Sequence, residues 1–113
     1  MPITDWSDDI LIVELNDDPA FSEDIEMLLG RIEQPEGLTQ DIIVNMKSVN
    51  FVNSTNIAQL LKLRKMVLSS SRRLRVCAAC DQVWSVILIT GLDKIFDFTD
   101  DVSTSLASLQ LEV

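Results

Sequence analysis

Four consecutive residues, Asn53-Ser54-Thr55-Asn56, set two hydroxyls and two amides directly before a leucine-containing run. Each of these side chains can accept a hydrogen bond from the first free N–H groups of a helix, so the quartet predicts a helix start. The same place suits an anion, because free N–H groups and the helix dipole stabilise negative charge there. Capping alone explains the residues equally well, and their types and spacing leave both readings open. The second candidate is Cys77-Ala78-Ala79-Cys80. A single C-x-x-C is a redox pair or half of a zinc site, but the chain has no second ligand pair, and Cys77 alternates within a β-rich run as a small buried hydrophobe does. With no histidine in 113 residues, Ser-His-Asp and Cys-His nucleophiles and His-ligated zinc are excluded. The three glycines are too scattered to form a phosphate loop, and no cofactor or metal is expected. Trp6 and Trp84, in apolar surroundings, are expected as core or interface anchors.

Charge separates along the chain. Residues 1–41 hold 12 acids and one base, Arg31. Residues 42–80 hold seven bases (Lys47, Lys62, Arg64, Lys65, Arg72, Arg73, Arg75) and no acid. Residues 81–113 hold six acids and Lys94, for a net charge of −9. Such a chain is repelled by nucleic acid. The basic middle is either a docking face for an acidic partner or a solvated face that also pairs with the protein's own acids. The acidic N-terminus does not read as a signal peptide, and VWSVILI at 83–89 is too short to span a bilayer, so no membrane insertion and a cytoplasmic location are expected.

Elements that could position the quartet follow from periodicity. Ile10–Leu15 reads as a strand. Asp18-Pro19 caps a helix that turns Phe21, Ile25, Leu28, Leu29 and Ile32 to one face, and Pro35 and Gly37 break it. Ile42-Ile43-Val44 is a second strand, buried on both faces. A helix from Ser54 points Ile57, Leu60, Leu61, Val67 and Leu68 inward, with Gln59, Lys62 and Lys65 on its other side. Leu74–Ala78 is a third strand. Asp81 caps a helix that buries Val83, Trp84, Ile87 and Leu88 and stops at Gly91. Ile95–Phe98 is a short strand, and Asp101 caps a last helix carrying Val102, Leu106, Leu109 and Val113. The alternation predicts one α/β domain over 1–113, a mostly parallel sheet of four or five strands with about four helices, residues 1–9 being an edge strand or a loose end.

The stretch 41–61, DIIVNMKSVNFVNSTNIAQLL, resembles the core of a STAS domain, the fold of bacterial anti-sigma factor antagonists. The strand is Ile42–Val44, the connector Val49-Asn50-Phe51-Val52, and Asn53–Asn56 stands where the family has Asp-Ser-Ser/Thr-Gly. Thr90-Gly91-Leu92, Ile95-Phe96 and the C-terminal helix match further on. The resemblance implies partner switching in bacterial transcription regulation by a non-enzymatic signalling module. An anti-sigma factor that is also a serine kinase would phosphorylate Ser54 (Thr55 being its neighbour) and so release the antagonist, and a phosphatase would reverse this. Phosphate would add about −1.5 to −2 charge at the helix start. Phe51, Asn53, Ser54, Thr55, Asn56, Lys62 and Lys65 would meet the partner, and a homodimer is compatible. Other members of the family act unphosphorylated, as scaffolds or as the small subunit of phospholipid-transport ABC complexes beside the ATPase. The chain departs from the pattern at Asn45 and Asn53, where the family has acids, and at Asn56, where it has glycine.

Overall fold

The computed structural model describes residues 3–34 and 38–111. A five-stranded sheet runs in chain order: β1 (Ile3–Asp5), β2 (Ile10–Asn16), β3 (Asp41–Ser48), β4 (Leu74–Cys77) and β5 (Phe98–Thr99). Only the β1–β2 pair is antiparallel; β2 through β5 are parallel. Helices α1 (Ala20–Ile32), α2 (Ser54–Ser69) and α3 (Asp81–Thr90) make the crossovers, and α4 (Val102–Leu111) follows β5. The mixed, mostly parallel α/β architecture is the one expected from the alternation of elements, and β1 resolves the open question of the N-terminus as an edge strand.

Strand alternation divides the core in two. Leu11, Val13 and Leu15 of β2, with Ile42, Val44 and Met46 of β3, meet the inner faces of α1, α2 and α3. Ile10, Ile43 and Cys77 point the opposite way, onto Leu109 of α4. Both faces of β3 are therefore covered, which is why its apolar residues are consecutive rather than alternating. Helix α1 buries the expected Phe21, Ile25, Leu28, Leu29 and Ile32. The proposed break at Pro35–Gly37 and the C-terminal Val113 lie outside the described residues.

Other expectations need correction. Leu61 and Leu68 of α2 are exposed, while Gln59 and Leu63 are buried. The helix is rolled toward α1, where Ser22 Oγ reaches Gln59 Oε1 at 3.4 Å and Gln59 Nε2 reaches Glu26 Oε1 at 3.5 Å. A polar residue can face inward there because its amide is met from across the helix pair. Trp84 and Leu88 also stand partly in solvent, leaving Val83 and Ile87 as the buried residues of α3. This helix packs at the sheet's edge, where Trp84 meets Phe98 edge-on at 5.2 Å between ring centroids. Ile95 and Phe96 are not a strand. Gly91, at φ 76°, ends α3 in the left-handed conformation, and Leu92–Lys94 forms a 3₁₀ turn whose Leu92 carbonyl accepts from Ile95 and Phe96 N–H. Pairing with β4 begins only at Phe98.

Candidate functional site

The parallel sheet presents its C-terminal edge where β3 gives way to the connector and α2. The β2–β3 register shifts between Glu14 and Asn16 at this edge, and β2 then turns into Asp17 and Asp18. Shifts of this kind re-aim the chain beside sites. Here the shift precedes two carboxylates that lie beside a helix start 35 residues further on.

The residue that caps α2 is Asn53. Its side chain accepts from Asn56 N–H at 2.8 Å, and Asn56 Oδ1 accepts from Asn53 N–H at 3.1 Å, a reciprocal capping box. Both amide nitrogens then donate to one oxygen: Asn53 Nδ2 and Asn56 Nδ2 each lie 3.0 Å from Asp18 Oδ2. The other oxygen of Asp18 accepts from Ser22 Oγ at 2.7 Å and Ser22 N–H at 2.9 Å. Donation from Ser22, then from Asn56 and Asn53, holds the Asp18 carboxyl down at about 2, well below the usual carboxylate range. Asp17 plays a parallel part on the connector, accepting from Asn50 N–H and Nδ2, both at 2.7 Å, and from Phe51 N–H at 3.4 Å. Those bonds, the Asn50 side chain's first, lower its carboxyl as well.

Ser54 and Thr55 occupy the first turn of α2 and are exposed. Among the described residues nothing hydrogen-bonds the Ser54 hydroxyl, so it is displayed rather than used by the fold. Phe51, two residues before the cap, is 58% exposed, unusual for a phenylalanine that the connector could have turned inward as it does Val49. Asn56 was expected among the surface residues, but it is 1% exposed and serves the cap from inside. The structure therefore brings Phe51, Asn53, Ser54 and Thr55 to one surface. Lys62 and Lys65 are exposed further along α2, roughly 12 and 17 Å from Ser54 by the helical rise. They border a groove shared with Ile32, Glu33 and Met66.

Three arginines of the basic segment are engaged elsewhere. Arg73 closes on Asp41 at 2.9 Å, and Arg72 lies 3.2 Å from the same buried carboxylate. Arg75 is buried against Ser108 Oγ at 3.0 Å and Asp97 at 3.3 Å. These arginines follow the C-terminal end of α2, a helix length of about 24 Å away from Ser54. Cys77 is buried in β4, where burial pushes its thiol up, and Cys80 is half-buried with Sγ 3.5 Å from the Val49 carbonyl; both are free thiols. Among the described residues no group of three or more acids and cysteines is placed to hold a metal ion, and no helix is long and apolar enough to cross a membrane.

Asp17, Asp18 and Gln59 were not in the sequence-derived set. The N-cap of α1 is Pro19, without a side-chain cap bond, and the expected cap Asp18 stands one residue before it, accepting from Ser22 N–H and Oγ; the Asn16-Asp17-Asp18 run after a strand is the available signal for more.

Comparison with known proteins bears on this geometry. The chain superposes on an anti-sigma-factor antagonist (STAS) domain protein from Planctomyces limnophilus with a TM-score of 0.80 at 11% identity, over 96% of each chain. It matches the unphosphorylated anti-sigma factor antagonist SpoIIAA with a TM-score of 0.79 at 14% identity, over 98% of this chain and 96% of that one. A sulfate transporter family protein from Wolinella succinogenes aligns with a TM-score of 0.77 at 19% identity, over 90% of this chain and 85% of that one. At such identities the likeness is one of fold. No curated protein matches the chain significantly by sequence. The STAS domain family model, however, matches residues 2–106, a span that runs from the edge strand into α4 and contains the whole Asn53–Asn56 helix start. The chain belongs to the STAS domain family.

Proposed function

We propose that this protein is a non-enzymatic STAS-type regulator of the anti-sigma factor antagonist kind, docking on an anti-sigma factor or serine kinase through Phe51, Asn53, Ser54 and Thr55, with Lys62 and Lys65 extending the contact along α2. The observation that carries the reading is the Ser54 hydroxyl, exposed in the first helical turn and taken by no other described residue. Phosphate there would meet the unsatisfied N–H groups of the helix start, so the helix tolerates the charge. A partner packed on Phe51 and Ser54 would have to desolvate that charge, and would let go. The protein acts in the cytoplasm, where such partners are found.

Asp18 favours a second reading. Both its oxygens accept two donors each, so it has no lone pair directed at Ser54 to assist proton removal. A STAS domain that docks unphosphorylated, as a scaffold or beside a transporter ATPase, fits that arrangement. Co-purification from the native cell, with mass spectrometry of residue 54, separates the two. A kinase or anti-sigma factor whose capture is lost in Ser54→Asp supports switching. An ATPase captured equally by wild type and Ser54→Asp, with no phosphoserine, supports the scaffold and refutes the switch.

A further inference from the structure

We propose that Asp17 and Asp18 are the positioning residues of the Ser54 site and convey its charge to the docking connector. The inference rests on reading Ser54 as a phosphoryl acceptor. Asp18 joins two segments with one carboxylate: the start of α1 through Ser22, and the start of α2 through Asn53 and Asn56 on either side of Ser54. Asp17, its neighbour, holds Asn50 and Phe51 N–H and thereby fixes the chain that exposes the Phe51 ring. Ionised carboxylates are strong acceptors for such bonds, but they are also what a new anion repels.

The two ends of this arrangement respond oppositely to phosphate. The helix start gains a favourable charge at its N–H groups, so α2 stays formed. Asp18 Oδ2 is bonded to Asn53 Nδ2, on the residue directly before Ser54, and to Asn56 Nδ2, two residues after it. For charges about 7 Å apart in water, two charges acting on one shift an equilibrium by a factor of about seven, and a single charge by about threefold. The weakened element is then the link between Asp18 and the capping amides, and with it the β2–α1 turn and the connector. Phosphate at Ser54 thus loosens the surface around Phe51 besides blocking it.

Amide exchange measured by NMR at low salt tests this without any partner. Phosphoserine placed at position 54 during expression should raise exchange at Ser22, which bonds Asp18, about fivefold to tenfold. The rise at Asn50 and Phe51, held by Asp17, should be smaller, and Leu60 and Leu63 within α2 should not change. Ser54→Asp should give about threefold at Ser22. In an Asp18→Asn background, the added effect of phosphoserine should fall below twofold. Should that variant be too unstable to assign, 1 M salt, which shortens the Debye length to about 3 Å, should suppress the effect in the otherwise wild-type protein. Unchanged exchange at Ser22, a uniform rise that includes Leu63, or a rise indifferent to salt overturns the inference. A partner that ignores the charge at Ser54 would instead refute the switch itself, and the two failures are told apart because the exchange experiment contains no partner.

Discussion

Asn53→Ala should destabilise the protein and Ser54→Ala should not, although both residues are polar and belong to the same helix start. A serine cap at 54 would make Ser54→Ala cost about 0.5–2 kcal/mol. The structure gives that task to Asn53, which accepts from Asn56 N–H at 2.8 Å and donates its own N–H to Asn56 Oδ1 at 3.1 Å. Asn53→Ala removes the cap acceptor and one of the two amides on Asp18, so the cost falls in the upper half of the usual range, about 1.5–2 kcal/mol. Ser54→Ala removes an exposed hydroxyl with no partner among the described residues and substitutes a better helix former, so it should lie within about 0.5 kcal/mol of wild type.

For a chain of this length the unfolding entropy is about 0.24 kcal/mol per degree near 60 °C, so 1 kcal/mol moves Tm by roughly 4 °C. Thermal melts at pH 7 should place Asn53→Ala about 6–8 °C below wild type and Ser54→Ala within about 2 °C of it. Urea unfolding should give the same order with an unchanged m value. A Ser54→Ala protein as destabilised as Asn53→Ala would refute the assignment of the cap. It would also remove the case that Ser54 is held free of structural duty.

Asp41, buried beneath two arginines, accepts from Arg73 N–H at 2.8 Å and Arg73 Nη2 at 2.9 Å, so Asp41→Ala should cost about 2–4 kcal/mol and lower Tm by roughly 8–16 °C; a loss under 1 kcal/mol in urea melts would show the cluster to be surface decoration. Acid should loosen the site before the core: Asp18 is depressed in the folded state, so the stability it contributes is complete above the ordinary value near 3.8 and is lost as pH falls from there toward 2, with Asp17 moving in the same direction. Exchange at Ser22 followed from pH 5 to 2.5 reads this, and a site unchanged at pH 2.5 contradicts it. Charge reversal at both Lys62 and Lys65 should slow association with an acidic partner severalfold and flatten its salt dependence while leaving Tm within about 2 °C, as stopped-flow association across a salt series would record.

Much of the fold was legible because burial imposes periodicity on the sequence. The five inward residues of α1 and the consecutive apolar run of β3 are each a one-dimensional pattern of burial on one face or two. The errors cluster where a neighbour decided the outcome. Leu61 and Leu68 fit a helical stripe, yet α2 rolls to place Gln59 against Ser22 and Glu26, and no local pattern announces a glutamine satisfied from another helix. Ile95 and Phe96 have strand-like side chains, but a left-handed Gly91 commits the chain to a turn before pairing starts. The charge map left two readings open, and for three of its seven bases the structure takes the pairing with the protein's own acids: Arg72 and Arg73 meet Asp41, and Arg75 meets Asp97, from distant segments.

At the site itself, the residue pattern around 53–56 located the helix start but not its chemistry, because the missing carboxylate is present in space though absent from the motif. Asn53 and Asn45 replace acids of the family pattern, and an acid is supplied to the α2 start by Asp18, 35 residues away. An aspartate at 53 would combine capping with negative charge directly before Ser54. An asparagine caps as well, and its Nδ2 can also donate, which is what allows Asp18 to bind it. With asparagine at 53, the carboxylate bonded to the cap is that of Asp18, on the β2–α1 turn. Capping, carboxylate and hydroxyl now reside on Asn53, Asp18 and Ser54 separately, so each can be removed without erasing the other two. On the proposed reading, a phosphate at Ser54 would leave Asn53 holding the helix, and its effect would fall on the turn at Asp18 rather than on the core.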